Sequence, residues 1–562
     1  MLELIGGCDT IDGDFDASIE QLTRAKRVLT DEISRLVASR GGVSHPAETT
    51  GEMLVNAGGV VFPVSRRALL LPCMKRRYIS VLLMLFADGL PRDADGHVYL
   101  ETSPAYFEAL LDELTLYETG RTNTVDLPPS KAADPAYSEY HSLFMRELPS
   151  FAPPTHSSRG AAMARAVDAA CDEKALGNVI QTSLSDLEKV MKRLTRRREE
   201  VVRFLSAMEP FMKGQDDTGD DLAVLSLNVL GRQVVIQRRT LLRLGADHPL
   251  LTRFSNTLPC WGDRRVRQTP TKHFVNTVEF ARRIAMLKGQ LIRPPLMDES
   301  ERELFREDLA MYGLTYSPIL DLPSGQEWVI TSPEEWVAVL DLMDRPTCRP
   351  SLLFKSSRDG GDFGTLLDKV GDASGLLFLI NHNDTHRFGA FVDGRLKPPT
   401  DPTDPTQTSS SYFAPQFLIS ISGAYAVPTK VPIPTAKQTV HVAGRDAFQI
   451  ANDQDSRGKL SLGWGYLWFG WATPGPSDDV RSMNQFVKEE DLPDNGYLGQ
   501  LNSSNEGTLA GEPYFTAKEM EIWHIETARG GWFKAAAPHA AVGVGSRKPK
   551  GFMSWLWRRR DK

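Results

Sequence analysis

Apolar residues recur at alternating intervals of four and three along two stretches of the chain. This is the a/d spacing of helices that pack against a partner helix, and it predicts coiled-coil helices over 15–40 and 180–212. Each series holds one cation among its apolar members. The first series is Phe15, Ile19, Leu22, Lys26, Leu29, Ile33 and Leu36, and the second is Leu187, Met191, Leu194, Arg198, Val201, Leu205 and Met208.

The two series belong to a longer internal repeat. Residues 15–69 align without a gap with residues 187–241, at a constant offset of 172 residues. Because a helix with an apolar seam needs a partner to cover it, the duplication predicts self-association, within one chain or between copies. The cation falls at the same seam position in both copies, at Lys26 and Arg198. This favours a role in specifying the helix register over a side chain that only extends to solvent.

A strand pattern begins at Ser351, where short apolar runs alternate with Gly, Asn, Asp and Pro turns. This pattern predicts a largely antiparallel β domain and a multidomain chain. The predicted segments are an acidic N-terminal segment (1–14), the first seam helix (15–40), a compact unit (53–120), a linker with short helices (121–179), the second seam helix (180–212), a second compact unit (222–290), a helical connector (291–349), the β domain (350–527) and a basic aromatic tail (528–562).

Composition limits the classes of function. A net charge of −7 over 562 residues argues against general nucleic-acid binding. The five cysteines are dispersed, as is typical of reduced thiols in the cytosol. The first sixteen residues contain four Asp and one Glu but no Lys or Arg, so no presequence is indicated. Since the longest apolar run, around 79–86, is too short to span a bilayer, we expect a soluble, cytoplasmic protein.

The first compact unit contains an asparagine followed by a glycine pair, a Ser-Arg helix start, an Asp-Gly turn and a Pro-x-x-Phe helix start. The glycine pair predicts a hairpin turn with positive φ angles, and the serine predicts a helix cap. The residues concerned are Asn56, Gly58, Gly59, Ser65, Arg66, Asp95, Gly96, Pro104 and Phe107. Together they resemble the potassium-channel tetramerisation domain, a branch of the BTB/POZ fold.

The second compact unit, over 222–290, looks like a degenerate copy of the first. It keeps Asn228, Gly231 and Arg238, but Leu230 replaces the first turn glycine and the Asp-Gly turn is absent. The resemblance implies ring-like self-association, or adaptor work for cullin ubiquitin ligases. The channel branch of the family binds zinc through clustered Cys and His, and because this sequence has no such cluster we predict no metal.

The β domain contains a strand that runs into Ser-Ser-Arg-Asp-Gly, a Gly-Ala-Phe strand and a closing strand with two glutamates. The residues concerned are Ser356, Arg358, Asp359, Gly360, Phe363, Gly389, Phe391, Phe515, Glu519 and Glu521. Over about 350–527 this resembles the TLDc domain of oxidation-resistance proteins. The resemblance implies a β-sandwich flanked by helices, protection against oxidative stress and, in several members, binding to the vacuolar proton pump. The resemblance to the TLDc domain implies no agreed catalytic mechanism.

Other polar stretches match no common catalytic or ligand motif. The glycine-rich 356–364 lacks the ending of a phosphate-binding loop and favours a strand-to-helix turn. His382 and His386 lie four residues apart on a hairpin pattern, which does not require them to share a face. We therefore predict no catalytic residue, cofactor or metal. An aromatic run over 464–471 predicts a core strand, with a ligand or partner patch as the alternative.

The C-terminal tail differs in charge from the preceding chain. Basic residues flank an apolar, tryptophan-containing group, which is a pattern that an anionic membrane surface or an acidic groove selects. A disordered tail with incidental charge is the alternative. The residues are Trp555, Trp557, Arg558, Arg559 and Arg560.

The sequence thus predicts a multidomain α+β fold: two units of coiled-coil helix plus BTB/POZ-like α/β domain, then a TLDc β-sandwich with flanking helices. We expect a non-enzymatic oligomeric scaffold or assembly subunit, in which the duplicated units self-associate and the TLDc domain binds partners. The expected partners are further copies of the chain and the proteins of a larger complex, not nucleic acid. The alternatives are a cullin adaptor, or a TLDc-type protein of oxidative-stress protection or proton-pump regulation.

Overall fold

The computed structural model describes residues 20–21, 23–43, 46, 48–148, 173–212, 221, 223–255, 269–287, 289–322, 326–344, 348–399, 408–450, 457–493 and 496–527. Within them the chain mixes helices with several mainly antiparallel sheets, which is the predicted α+β class. No helix within these ranges is both long and apolar enough to cross a bilayer. The predictions that lie outside these ranges concern the acidic segment, the seam residues Phe15, Ile19 and Leu22, and the tail residues Trp555, Trp557, Arg558, Arg559 and Arg560.

The N-terminal half contains two stretches of helix and hairpin. The elements of the first are α1 (23–38), β1 (Glu52–Ala57), β2 (Val60–Ser65), α2 (Arg66–Leu69), α3 (Tyr78–Leu85), β3 (Val98–Leu100), α4 (Pro104–Glu118), α5 (Pro129–Ala132) and α6 (Pro135–Phe144). Those of the second are α7 (Glu173–Met208), β4 (Val224–Val229), β5 (Arg232–Gln237), α8 (Arg238–Leu242), α9 (Pro249–Ser255), α10 (Thr271–Met286) and α11 (Glu299–Met311).

The secondary structure repeats at the offset found in the sequence. Adding 172 to the first residue of β1, β2 and α2 gives the first residue of β4, β5 and α8. The two copies differ beyond this point. In the first, β3 adds to β1 as a parallel strand, whereas the described part of the second sheet consists of β4 and β5. In the first copy an Asp-Gly turn precedes β3, and the second copy has no such turn in its sequence. The two observations agree.

Both copies contribute to one hydrophobic core. Leu100 and Phe107 of the first copy belong to the same buried cluster as Ile236 and Phe280 of the second. The segment 121–179, predicted as a linker with short helices, also contributes to it, because α6 carries side chains that are fully buried in this core. The Asp134 cap and the opening Pro135 of this helix both favour helix initiation.

The C-terminal unit is a sandwich of two antiparallel six-stranded sheets, in the orders β11-β10-β8-β7-β21-β6 and β20-β17-β16-β15-β12-β9. Its helices are α12 (Pro333–Leu342), α13 (Ser356–Asp359) and α14 (Phe363–Val370). Its strands are β6 (Cys348–Lys355), β7 (Ser374–His382), β8 (His386–Arg395), β9 (Ser409–Phe413), β10 (Gln416–Ser422), β11 (Thr429–Pro432), β12 (Thr439–Ala443), β13 (Gln449–Ile450), β14 (Arg457–Gly458), β15 (Leu460–Leu462), β16 (Leu467–Phe469), β17 (Ser482–Gln485), β18 (Val487–Lys488), β19 (Glu506–Gly507), β20 (Tyr514–Thr516) and β21 (Glu519–Thr527).

The first sheet is buried on both faces. Alternate residues of β7 point in opposite directions, so Leu376 and Phe378 join the core between the sheets while Leu377 joins a separate core on the outer face. The helix α12 covers that outer face, and its Trp336 ring lies 5.0 Å from the Trp523 ring. Because α12 packs on this sheet, it belongs to the C-terminal unit, and the predicted boundary between a connector (291–349) and a domain starting at 350 falls too late.

Candidate functional site

The first hairpin turn has the geometry expected from its glycine pair. Gly58 and Gly59 have φ angles of +53° and +105° and form a two-residue loop between Ala57 and Val60. The Asn56 Oδ1 atom accepts a hydrogen bond from the Gly59 backbone N–H at 2.8 Å. Two positive φ angles are the type I′ geometry that matches the twist of a hairpin.

The second hairpin keeps this turn although it has lost one glycine. Leu230 has a φ angle of +50° and Gly231 one of +83°. The Asn228 Oδ1 atom accepts a hydrogen bond from Gly231 N at 2.8 Å, as its counterpart does in the first copy. Leucine therefore adopts a left-handed conformation that costs an L-residue about 1–2 kcal/mol.

The residues predicted at the helix starts lie at equivalent positions. The Ser65 Oγ atom caps α2 at 3.2 Å, as predicted. At the starts of α2 and α8, the Arg66 side chain pairs with Glu48 at 3.3 Å and the Arg238 side chain pairs with Asp221 at 2.7 Å. Pro104 opens α4. Three residues later in that helix, the buried Phe107 ring packs edge-on against Phe62.

The predicted Asp-Gly turn, at Asp95 and Gly96, is held by a third side chain. Asp93 Oδ1 accepts hydrogen bonds from the backbone N–H groups of Asp95 and His97, and its Oδ2 accepts one from Asn56 Nδ2 at 2.8 Å. Asp93, Asp95 and His97 offer ligand atoms within 4.8 Å of one another. Since these hydrogen bonds occupy both Asp93 oxygens, they explain the group as part of a turn.

The two hairpins contact each other. A Cβ atom placed on Gly59 would lie 2.6 Å from a methyl carbon of Val235, so the first turn lies directly against β5. At the end of β5, the Gln237 backbone N–H donates to Glu101 Oε2 at 2.7 Å. The two copies therefore meet across a polar as well as an apolar contact.

A buried arginine lies at the centre of this contact. Arg282 of α10 donates from Nε to Glu101 at 2.5 Å, from Nη1 to Glu279 at 2.6 Å and from Nη2 to the Val235 carbonyl at 2.5 Å. Its side chain is 4% exposed and that of Glu101 is 1% exposed. Although burial lowers the pKa of Arg282, the two carboxylates raise it overall, so the guanidinium stays charged.

A second buried pair adjoins the first. Arg283 Nη1 donates to Glu139 Oε2 and to the Arg293 carbonyl, both at 2.8 Å, and Arg293 N donates to Glu139 Oε1 at 2.8 Å. Burial raises the pKa of Glu139, and Arg283 opposes this rise. The pair ties α6 to the second copy.

The seam helices meet the same core through their C-terminal halves. Ile33 of α1 is buried and Leu36 is partly buried. Lys26 is exposed. Leu29 is part-exposed, as are Met191 and Leu194 of α7, and the side chain of Leu187 lies outside the described atoms. In α7, Val201, Leu205 and Met208 are buried.

One of the two seam cations forms an ion pair between the helices. Arg198 Nε donates to Glu32 Oε1 at 2.7 Å. Their side chains are 42% and 33% exposed, so solvent screens the pair and its contribution is small.

In the C-terminal unit, a buried lysine joins three chain segments. Lys355 Nζ lies 2.6 Å from the Glu327 carbonyl, 2.7 Å from Glu521 Oε1 and 3.2 Å from Glu519 Oε2. Three acceptors match the three hydrogens of an ammonium group. This arrangement holds the segment before α12 against β6 and β21, and it leaves the lysine no hydrogen for other chemistry.

The two glutamates of this cluster have opposite pKa shifts. Burial raises the pKa of Glu519, but hydrogen bonds from Ser356 and Ser357 outweigh it and lower that pKa overall. Burial raises the pKa of Glu521, and the lysine opposes that rise. Glu521 also accepts hydrogen bonds from Trp523 Nε1 at 2.9 Å and from Val329 N at 3.2 Å.

The remaining predicted residues of this unit hold its turns and strands. Arg358 pairs with Asp359, which accepts from the Lys355 N–H at 3.0 Å, and Gly360 ends α13 at a φ angle of +84°. A Cβ on Gly389 would lie 1.9 Å from the Phe378 carbonyl, so only glycine fits there. The rings of Phe363 and Phe515 lie in the core between the sheets, and that of Phe391 lies in the core under α12.

A cavity of about 670 Å³ lies on the second sheet of the sandwich, at the aromatic run for which the sequence offers a ligand or partner patch as the alternative. Trp464, Trp468 and Trp471 of the predicted core run line it, together with residues from four other stretches of chain. The period-two pattern of that run indicated the inward-facing rings, such as the fully buried Phe469. It gave no signal for the polar residues of the neighbouring strands.

The family model of the TLDc domain matches residues 329–422. No curated protein matches the chain. The matched segment contains α12 and the strands β6, β7, β8 and β10 of the first sheet. In the structure this sheet also includes β21, from Glu519–Thr527, which hydrogen-bonds between β6 and β7. The folded unit therefore extends past the matched segment to residue 527.

Proposed function

The chain contains a TLDc domain. From this premise we propose that it is a non-enzymatic scaffold or assembly subunit. Its two copies, each a coiled-coil helix with a BTB/POZ-like domain, associate with each other, and its TLDc domain binds protein partners. The observation that carries the proposal is the contact between the copies through Arg282 and Glu101. Because an arginine buried with its carboxylates resists separation from them, the copies behave as one rigid support.

The surface of the first copy supports further association. Leu54, Val60 and Val61 of the first hairpin are 41–47% exposed, and β2 is the edge strand of its sheet. Val28 of α1 and Val202 of α7 are also exposed. Apolar side chains at a sheet edge are the features through which a second chain adds to a sheet.

The test is the native mass and composition of the complex purified gently from the protein's own cells. A defined oligomer, or stable incorporation in a larger complex at fixed stoichiometry, is the expected result. A cullin recovered at low stoichiometry would favour the adaptor alternative. A monomer without partners, purified intact, would contradict the proposal.

The TLDc match also favours a second candidate function, protection against oxidative stress. Under this alternative, cells that lack the protein are sensitive to peroxide, and a chain lacking residues 1–322 restores their survival. A scaffold requires both halves. The chain that lacks residues 1–322 would therefore fail to restore assembly. The two readouts, survival and complex mass, separate the candidates.

A further inference from the structure

The outer face of the second sheet carries a continuous row of polar and aromatic residues. Directly paired residues on neighbouring strands project to the same face. The row crosses β12, β15, β16, β17 and β20 in the order His441, Ser461, Trp468, Asn484 and Tyr514. All five line the cavity of about 670 Å³, which lies in the size range of small-molecule sites, about 300–1,000 Å³.

One buried polar atom on this row has no hydrogen-bond partner within the described chain. It is Ser461 Oγ, on a residue that is fully buried. Buried polar groups are nearly always satisfied, so this hydroxyl indicates a ligand with donors and acceptors. Gln485 follows Asn484 on β17, so its side chain projects to the opposite face, where its carbonyl oxygen accepts from Leu509 N at 2.5 Å.

An exposed tryptophan stands at the edge of the cavity. Trp464 is 67% exposed and has a φ angle of +52°, between Gly463 and Gly465, which are also left-handed. Backbone strain at a non-glycine residue concentrates at ligand sites. The Trp468 and Trp471 rings lie 4.8 Å apart, are each 6% exposed and form part of the cavity wall.

The charges of the cavity are small or already paired. Burial lowers the pKa of His441, so its imidazole is neutral at pH 7. The Glu506 carboxylate pairs with Lys488 Nζ at 2.6 Å. An anionic or cationic ligand would meet no uncompensated charge among these groups.

We propose that this cavity binds a neutral oligosaccharide. Indole rings stack on the apolar C–H faces of sugar rings, and the amide and hydroxyl groups of the row match the sugar hydroxyls, which both donate and accept. A proline-rich peptide also stacks on aromatic rings. However, a proline residue has one carbonyl and no donor, so it matches the mixed polar groups of Ser461 and Asn484 less well.

The test uses the full-length protein and four neutral trisaccharides, namely cellotriose, maltotriose, triacetylchitotriose and mannotriose, with deca-proline as the comparison. Saturation-transfer NMR detects binding and isothermal titration measures affinity. We expect at least one trisaccharide to bind, and Trp464→Ala to weaken it about tenfold, the effect of losing one stacked ring. Alanine keeps the Cβ atom, so this change leaves the backbone strain in place.

Two further variants make the test specific. Phe413→Ala removes a ring that is 58% exposed on β9, beside the cavity but outside its lining, and should leave affinity unchanged. Ser461→Ala removes a buried hydroxyl without a partner, so it should lower affinity without lowering the melting temperature. Absence of any trisaccharide signal from the folded protein overturns the proposal. Binding of deca-proline alone, or equal losses in Trp464→Ala and Phe413→Ala, also overturns it.

Discussion

At the scale of single residues, Leu230 shows that a turn can persist without its best residue. The leucine holds a φ angle of +50° and is 68% exposed, so its side chain contributes little packing to offset the strain. We predict that Leu230→Gly raises the free energy of unfolding by about 0.5–1 kcal/mol. Relief of about 1–2 kcal/mol of strain exceeds the entropy that glycine loses on folding. Urea denaturation followed by circular dichroism measures the change.

A matched control is Leu304→Gly. Leu304 is 59% exposed within the helix α11, where glycine costs about 1 kcal/mol. The two substitutions should therefore shift stability in opposite directions. A loss of stability in both would contradict the strain assigned to Leu230.

His141 gives the molecule a dependence on pH. Burial lowers the pKa of this α6 histidine to about 4, against 6.5 for the free side chain. As pH falls from 6.5 towards 4, His141 binds a proton in the unfolded chain but stays neutral in the folded chain. The histidine therefore lowers the free energy of unfolding by up to about 3 kcal/mol over this range, and it has no effect above pH 6.5.

The measurement compares the wild-type chain with His141→Gln between pH 4 and 7.5. Carboxylates such as Glu139 titrate in both proteins, so the difference between the two curves reports the histidine. We expect that difference to be constant above pH 7 and to change steadily below 6.5. A constant difference over the whole range would show that His141 is not held neutral.

At the scale of elements, the contact between the two copies depends on one arginine. Arg282→Met removes the guanidinium and leaves Glu101 and Glu279 buried without it. We predict a loss of about 3–5 kcal/mol, the usual effect of removing one partner of a buried ion pair. Arg302→Met is the control, because Arg302 and its partner Glu299 lie on the exposed side of α11. If Arg282→Met costs no more than this control, the buried cluster does not join the copies.

The seam helices raise a different question, since their ion pair is solvent-exposed. Arg198 and Glu32 should couple by about 0.2–1 kcal/mol in a double-mutant cycle. That the seam cations specify register stays a prediction. Lys26→Leu together with Arg198→Leu should change the oligomer size or helix orientation, as measured by light scattering and by cysteine cross-linking. An unchanged assembly would leave the cations without that role.

At the scale of the whole molecule, the two halves have separate cores joined by a short connector. Arg293 is one junction: its backbone bonds to Glu139 in the N-terminal core, and its side chain pairs with Asp341 of α12 at 2.7 Å. All ten tryptophans lie after residue 260, so their fluorescence reports mainly on the C-terminal unit.

We therefore predict two separable unfolding transitions. The Trp336 side chain is 1% exposed and packs on the outer face of the first sheet of the sandwich. Trp336→Ala leaves a cavity there and should lower the free energy of unfolding by about 3–5 kcal/mol. It should shift the transition seen by tryptophan fluorescence and leave the N-terminal helices, monitored at 222 nm, largely unchanged. Arg282→Met should shift the transition of the N-terminal helices at 222 nm and leave the tryptophan fluorescence transition largely unchanged. A single transition that both variants shift equally would show that the halves fold as one unit.

Local features of the sequence predicted much of this architecture. The 172-residue offset located both hairpins and the helices after them, because turn glycines, capping residues and strand alternation act over a few residues. The same signals indicated the antiparallel strands of the C-terminal unit. They did not show that α6, within the predicted linker, is buried in the N-terminal core, or that α12, within the predicted connector, packs on a sheet formed by later segments.

What the sequence determined by itself is thus the local structure: which segments become helices, strands and turns, and which side of each is apolar. The tertiary structure alone decided which of these sides meet. Arg282 and Glu101 lie 181 residues apart, and the row from His441 to Tyr514 joins five strands, so no local spacing encodes either site. Such contacts depend on strand register and on packing between distant segments, and these are fixed only when the whole chain folds.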